Sequence, residues 1–140
     1  MSKQIYVTRK EHFNAAHKLW NEQWSSEKNH EVFGKCANEN WHGHNYQLFV
    51  TVKGTPHVDT GYVVDLKWLS VLIRKEVTDK LDHKNLNLDV PFLKGKMAST
   101  EILTMEIWNI LAPKLDLGHC KLHAVKLFET ENNFAEYLGE

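Results

Sequence analysis

Residues 42–54, HGHNYQLFVTVKG, constrain the fold most, because they alternate for their whole length. His42, His44, Tyr46, Leu48, Val50 and Val52 share one parity; Asn45, Gln47, Thr51 and Lys53 share the other. A period of two marks a half-buried strand, with one face on a core. Two imidazoles therefore begin an otherwise apolar face. Buried nitrogens without partners are costly, so this strand end needs something to bind. A metal is one such partner, and hydrogen-bonded core histidines or a surface pair are the others. Gly43 leaves the opposite face open to close approach of another backbone.

Residues 4–17 give a second strand, in which Ile5, Val7, Phe13, Ala15 and His17 share a parity. If the two strands are neighbours, His17 brings a third imidazole to the pair. Three histidines leave a fourth zinc position open, the arrangement of catalytic rather than structural sites. The segment 18–40 is polar and reads as a long loop. Asp65 is placed to cap a helix running to about Lys80, with Leu66, Leu69, Ile73 and Val77 as its apolar stripe. Residues 82–98 read mostly as loop. Ser99 or Thr100 caps a second helix, with Ile102, Met105 or Leu103, Ile110 and Leu111 inward, that ends near Pro113. Two last strands, about 120–130 and 134–138, flank a turn at Glu131-Asn132-Asn133. The expected subunit is β-β-α-α-β-β, an α+β fold. It has a four-stranded antiparallel sheet and two helices on one face, one domain over residues 1–140.

Composition narrows the function classes. The 17 basic and 18 acidic residues nearly cancel, which argues against a strongly basic nucleic-acid binder. No apolar run approaches the roughly 18 residues of a membrane span. The first residues lack a signal-peptide core, and two cysteines make no disulfide framework, so a cytoplasmic setting is expected. Nine histidines in 140 residues direct attention to a site.

Three further positions carry chemistry. Cys36 lies in a polar segment beside Lys35, where a cation or metal favours a reactive thiolate. Cys120, near Leu122, reads as core. Asp82-His83 follows the first helix; the carboxylate can orient the imidazole for acid–base work, or both are ordinary polar residues at a helix end. Glu129, at a strand end, can accept hydrogen bonds from a guanidine-like edge or can be a solvated hairpin residue.

Four stretches then carry a resemblance: Phe13-Asn14-Ala15-Ala16-His17, Cys36 through His42-Gly43-His44-Asn45-Tyr46, Leu81-Asp82-His83-Lys84-Asn85-Leu86-Asn87, and Glu129-Thr130-Glu131-Asn132-Asn133. In this order they resemble the 6-pyruvoyltetrahydropterin synthase family, with its relative, 6-carboxytetrahydropterin synthase of queuosine biosynthesis. The resemblance implies His17, His42 and His44 as ligands of one Zn2+ per chain, and it leaves room for Mg2+. It implies Cys36 as catalytic thiol and Asp82 and His83 as an acid–base pair supplied across a subunit boundary. Glu129 is implied as the pterin anchor, and Ser99, Thr100 and Glu101 as a pterin-contacting turn. Three positions depart from the pattern: Ser99 replaces the usual Thr, Ile102 the usual Asn, and Trp41 the Gly of the animal enzymes. The implied fold is the tunnelling fold, whose sheets close into a barrel per trimer, two trimers stacking into a hexamer.

The implied substrate is 7,8-dihydroneopterin triphosphate. The implied reaction is a lyase step of tetrahydropterin biosynthesis, with internal redox and elimination of triphosphate. The carboxy-forming relative uses the same substrate and also releases acetaldehyde. The five residues between Cys36 and His42, and the stretch from Glu129 to Asn133, resemble the pyruvoyl branch. The rivals are a zinc hydrolase, which leaves Cys36 and Asp82-His83 without roles, and a non-catalytic pterin-binding or structural zinc domain. No nucleic acid or membrane partner is expected.

Overall fold

The two alternating stretches pair with each other. In a computed structural model that describes residues 3–140, the strands are β1 (Ile5–His17), β2 (His42–Gly54), β3 (Lys84–Asn85), β4 (Cys120–Phe128) and β5 (Phe134–Tyr137). They form one sheet in the order β3-β1-β2-β4-β5. β1 and β2 run antiparallel along their full length, with Ile5 opposite Gly54 and His17 opposite His42. The hairpin partners β4 and β5 continue the antiparallel side. The expected four strands gain a fifth, because two residues after the helical segment lie parallel to Ala15-Ala16 of β1. A two-residue edge strand has no periodicity of its own to read.

β4 contains a β-bulge. Thr51 pairs with Ala124 but Val52 pairs with Leu122, so His123 is surplus. Strict alternation from Cys120 puts Leu127 and Glu129 outward. The surplus residue reverses the parity, and Cys120, Leu122, Val125 and Leu127 are all buried. Gly54 marks where β2 meets the start of β4: a Cβ there would lie 2.6 Å from both the Cys120 Cβ and the His119 carbonyl oxygen.

The helices cover the inward face. Residues 26–33, within the expected loop, form α1 (Ser26–Phe33). Ser25 caps it, and a 3-10 turn, Gly34–Ala37, follows. Its sequence has no apolar stripe. Its anchor is the buried Asn29, whose amide donates to the carbonyls of Asn21 and Ser25 at 3.0 Å. Asp65 caps α2 (Leu66–Ile73) as expected, accepting from the backbone N–H of Lys67 and Trp68. A π turn, Arg74–Thr78, carries the chain into α3 (Asp79–Leu81). The buried row is Leu69, Ile73, Val77 and Leu81, and the wider π turn accommodates that spacing. Leu66 falls off this row and is 42% exposed.

Ser99, not Thr100, caps α4 (Thr100–Leu111). Its buried face is Thr100, Leu103, Thr104, Ile107 and Leu111; Ile102, Met105 and Ile110, expected inward, are half-buried. One apolar core joins these rows to Phe13, Tyr46, Leu48 and Val50 of the sheet. Within it, Glu11 is a buried carboxylate held by the Ser70 hydroxyl at 2.5 Å, Arg9 Nε at 3.0 Å and Arg74 Nε at 3.4 Å. Burial raises its pKa, but these donors outweigh burial and leave it below the ordinary value.

Candidate metal centre

The register of β1 and β2 assembles the site. His17 faces His42 directly, and His44 stands opposite Ala15, whose small side chain leaves room for the ring. The three ring centroids lie 4.5, 4.9 and 5.1 Å apart, and each pair meets edge to face. One nitrogen from each ring converges, all within 4.8 Å of one another.

Hydrogen bonding fixes which nitrogens these are. His17 Nδ1 lies 2.6 Å from the Ala98 carbonyl oxygen. A carbonyl can only accept, so Nδ1 carries the proton and Nε2 keeps its lone pair. His17 Nε2, His42 Nδ1 and His44 Nε2 are buried and have no hydrogen-bond partner. Three such orphans aimed at one point fit a metal ion of the zinc type, since imidazole suits it and a fourth position stays open. Burial lowers all three pKa values and favours the neutral, ligating form. No second such group occurs among the described residues.

The surroundings hold the expected residues to different degrees. Glu129 stands beside the triad, its oxygens 3.7 Å from His44 Nε2 and 3.9 Å from His17 Nε2. It is aimed there by the bulge in β4 and held by the Thr100 hydroxyl, which donates to it at 2.5 Å. Thr100, Glu101 and Glu129 line a cavity of about 430 Å³. Ser99 spends its hydroxyl on the cap of α4, accepting from the Ile102 N–H at 3.3 Å. Tyr46, which the alternation placed inward without a role, stacks on Phe13 at 4.8 Å and brings its hydroxyl within 3.5 Å of His17 Nδ1. The Ala98 carbonyl is a backbone contact that no side-chain pattern reveals.

Cys36 sits half-buried in the 3-10 turn, and its carbonyl accepts from the Leu19 N–H at 2.7 Å, two residues past His17. No contact joins its thiol to the triad. Cys120 is buried, and burial raises its thiol pKa. Asp82 and His83 form a pair, with Asp82 Oδ2 2.9 Å from His83 Nδ1. Asp82 also accepts from the Asn14 N–H at 2.8 Å, the main reason its pKa is lowered. The pair lies along the outer edge of β1, where the His83 N–H donates to the Asn14 carbonyl and His83 lines a cavity with Asn14, Ala15, Ala16 and Gly43. One chain therefore brings together His17, His42, His44, Glu129 and Thr100, and sets Asp82-His83 apart. Among the described residues, His83 and Trp41 are the two non-glycine positions at positive φ, 60° and 67°.

Taken together, the sheet, its covering helices and the three-histidine site define a tunnelling-fold subunit. Residues 6–140 match the family described as 6-pyruvoyl tetrahydropterin synthase. The 6-pyruvoyl tetrahydrobiopterin synthase of Dictyostelium discoideum is 45% identical over 100% of both chains. That of Homo sapiens is 41% identical over 98% of this chain and 93% of its own. The solved 6-pyruvoyl tetrahydropterin synthase of Caenorhabditis elegans superposes with a TM-score of 0.85 at 33% identity, over 99% of this chain and 98% of that one. The chain belongs to the 6-pyruvoyl tetrahydropterin synthase family and is a lyase of that type.

Proposed function

We propose that the protein converts 7,8-dihydroneopterin triphosphate into 6-pyruvoyltetrahydropterin and triphosphate. The observation that carries this reading is the convergence of three free imidazole lone pairs beside a carboxylate that Thr100 holds. Names agree with it: relatives 39–45% identical over nearly the whole chain are called pyruvoyl enzymes.

His17, His42 and His44 hold one Zn2+ per chain. When bound, the ion polarises the oxygens of the substrate side chain and makes its hydroxyl and C–H groups more acidic. Glu129 accepts hydrogen bonds from the guanidine-like edge of the pterin, and Thr100 and Glu101 border that edge. Cys36 thiolate takes a proton from the side chain. Asp82, ionised at neutral pH, fixes His83 with Nδ1–H donating to it, so that Nε2 is free to pass a proton. The net change moves two electrons and protons from the side-chain carbons to the ring imine and expels triphosphate. Asp82-His83 is tied to the Asn14 backbone at the edge of β1 and makes no hydrogen bond or ion pair with the triad, and it serves a neighbouring subunit. The active assembly is then a hexamer built from two trimers. Free thiols at Cys36 and Cys120 suit a cytoplasmic setting, and among the described residues no helix is long and apolar enough to cross a membrane.

Incubation of the zinc-loaded protein with dihydroneopterin triphosphate, followed by mass analysis of all products, tests the proposal. The pyruvoyl product and triphosphate are expected in equal amounts. Acetaldehyde among the products transfers the protein to the carboxy-forming branch, and an unchanged substrate rejects the reading.

A further inference from the structure

Two cavities adjoin the triad, and they differ in character. The first is the acidic one bordered by Thr100, Glu101 and Glu129. The second, about 620 Å³, is walled by chain neighbours of the site: Lys18 follows His17, Trp41 precedes His42, and Met97 precedes Ala98, whose carbonyl holds His17. We propose that this second cavity binds the triphosphate tail of the substrate, with Lys18 as its cation. The inference rests on the substrate proposed above. A molecule with a donor edge at one end and a polyanion at the other needs carboxylates at one end and a cation at the other, with the reacting carbons between.

Lys18 is prepared for that role. The side chain of Asn87 grips its backbone twice: Asn87 Oδ1 accepts from the Lys18 N–H at 3.0 Å, and Asn87 Nδ2 donates to the Lys18 carbonyl at 3.1 Å. The next residue, Leu19, is tied to Cys36. The Lys18 ammonium lies 4.4 Å from the centre of the Trp41 ring and 5.2 Å from that of Trp20. These rings hold the ammonium in place without consuming its N–H donors on a carboxylate. No carboxylate pairs with Lys18 among the described residues, whereas Lys96, on the same cavity, is tied to Glu106 at 2.7 Å. Glu22 also lines the cavity. Lys18 is thus the lysine left to meet an anion there.

The test is calorimetric titration of the zinc-loaded protein with inorganic tripolyphosphate, with zinc content measured before and after. It is run on the wild type, Lys18→Gln and Lys18→Arg. Lys18→Gln should weaken tripolyphosphate binding by roughly tenfold or more. It should raise KM for the triphosphate substrate more than it lowers kcat, and leave binding of phosphate-free dihydroneopterin unchanged. Lys18→Arg should restore most of the binding, and added salt should weaken the wild type more than the Gln variant. Equal tripolyphosphate binding by wild type and Lys18→Gln overturns the proposal. So does a parallel loss of dihydroneopterin binding, which would make Lys18 merely structural. Absence of turnover in the wild type strikes the substrate reading instead, because the titration needs no reaction.

Discussion

Three neutral imidazoles that present lone pairs to one another repel, and in the proposed reading a shared cation offsets that repulsion. Single alanine changes at His17, His42 and His44 should each lower zinc content well below one per chain by elemental analysis, and undiminished zinc in all three sinks the assignment. Cys36 has no contact with these nitrogens, so Cys36→Ala should keep zinc and fold while turnover falls by roughly two to four orders of magnitude. The buried Cys120→Ala should cost about 1 kcal/mol of stability or somewhat more and leave the rate per folded site near wild type. Zinc loss from Cys36→Ala would make the thiol a ligand and reject the mechanism. Trp41 permits a further test, because its φ of 67° strains any residue with a Cβ. Both Trp41→Ala and Trp41→Gly lose the Lys18 contact, but only Gly relieves the backbone. The Gly variant should therefore be more stable than the Ala variant by about 1 kcal/mol in denaturant titrations; equal stabilities would show that φ carries no strain.

At the level of elements, Glu11 ties β1 to α2 through Ser70 and to Arg74 just beyond it. A carboxylate whose folded pKa is depressed contributes stability above its unfolded value, and loses it as pH falls through the folded one. Glu11→Gln should cost about 2 kcal/mol at neutral pH. The gap from wild type should close as pH drops below 4.5, the ordinary value from which Glu11 is depressed. A gap independent of pH would mean the charge does nothing. What could be read in advance follows from the same physics. β2 and the Asp65 and Ser99 caps declare themselves locally, through alternation and a polar side chain before an apolar run. α1 does not, because it is fixed by one buried Asn29 bonding to backbone carbonyls, a tertiary interaction with no period. His42 and His44 were readable as a pair on one face; the place of His17 needed the register of β1 against β2. Glu129 could be read from its position only as a ligand-accepting strand-end carboxylate or a solvated hairpin residue, since parity counted from Cys120 points it the wrong way, and the resemblance alone chose between them.

For the whole molecule, the decisive fact is that Asp82-His83 is tied to the edge of β1 at Asn14 and makes no hydrogen bond or ion pair with the triad. The sheet also ends in two short strands, β3 and β5, whose outer edges are free for pairing with other copies. Light scattering at assay concentration should find the activity in a multiple of trimers, and a fully active monomer would contradict the shared site. Subunit mixing is sharper. Cys36→Ala and His83→Ala should each be nearly inactive alone, yet assemblies reformed from both should recover a fraction of the activity, because some sites then draw an intact thiol and an intact imidazole from different chains. No recovery would place both groups in one chain.

The surplus residue at His123 makes β4 behave like text with a frame. One more residue inserted between Val125 and Leu127 would leave every downstream side chain present but advance it by one place. Phe128 would then occupy the position of Glu129, and the triad would face a phenyl ring in place of a carboxylate. Length, and not only identity, is thus encoded in this strand: a one-residue insertion that a surface loop absorbs without effect would here exchange a hydrogen-bonding pocket for a greasy one.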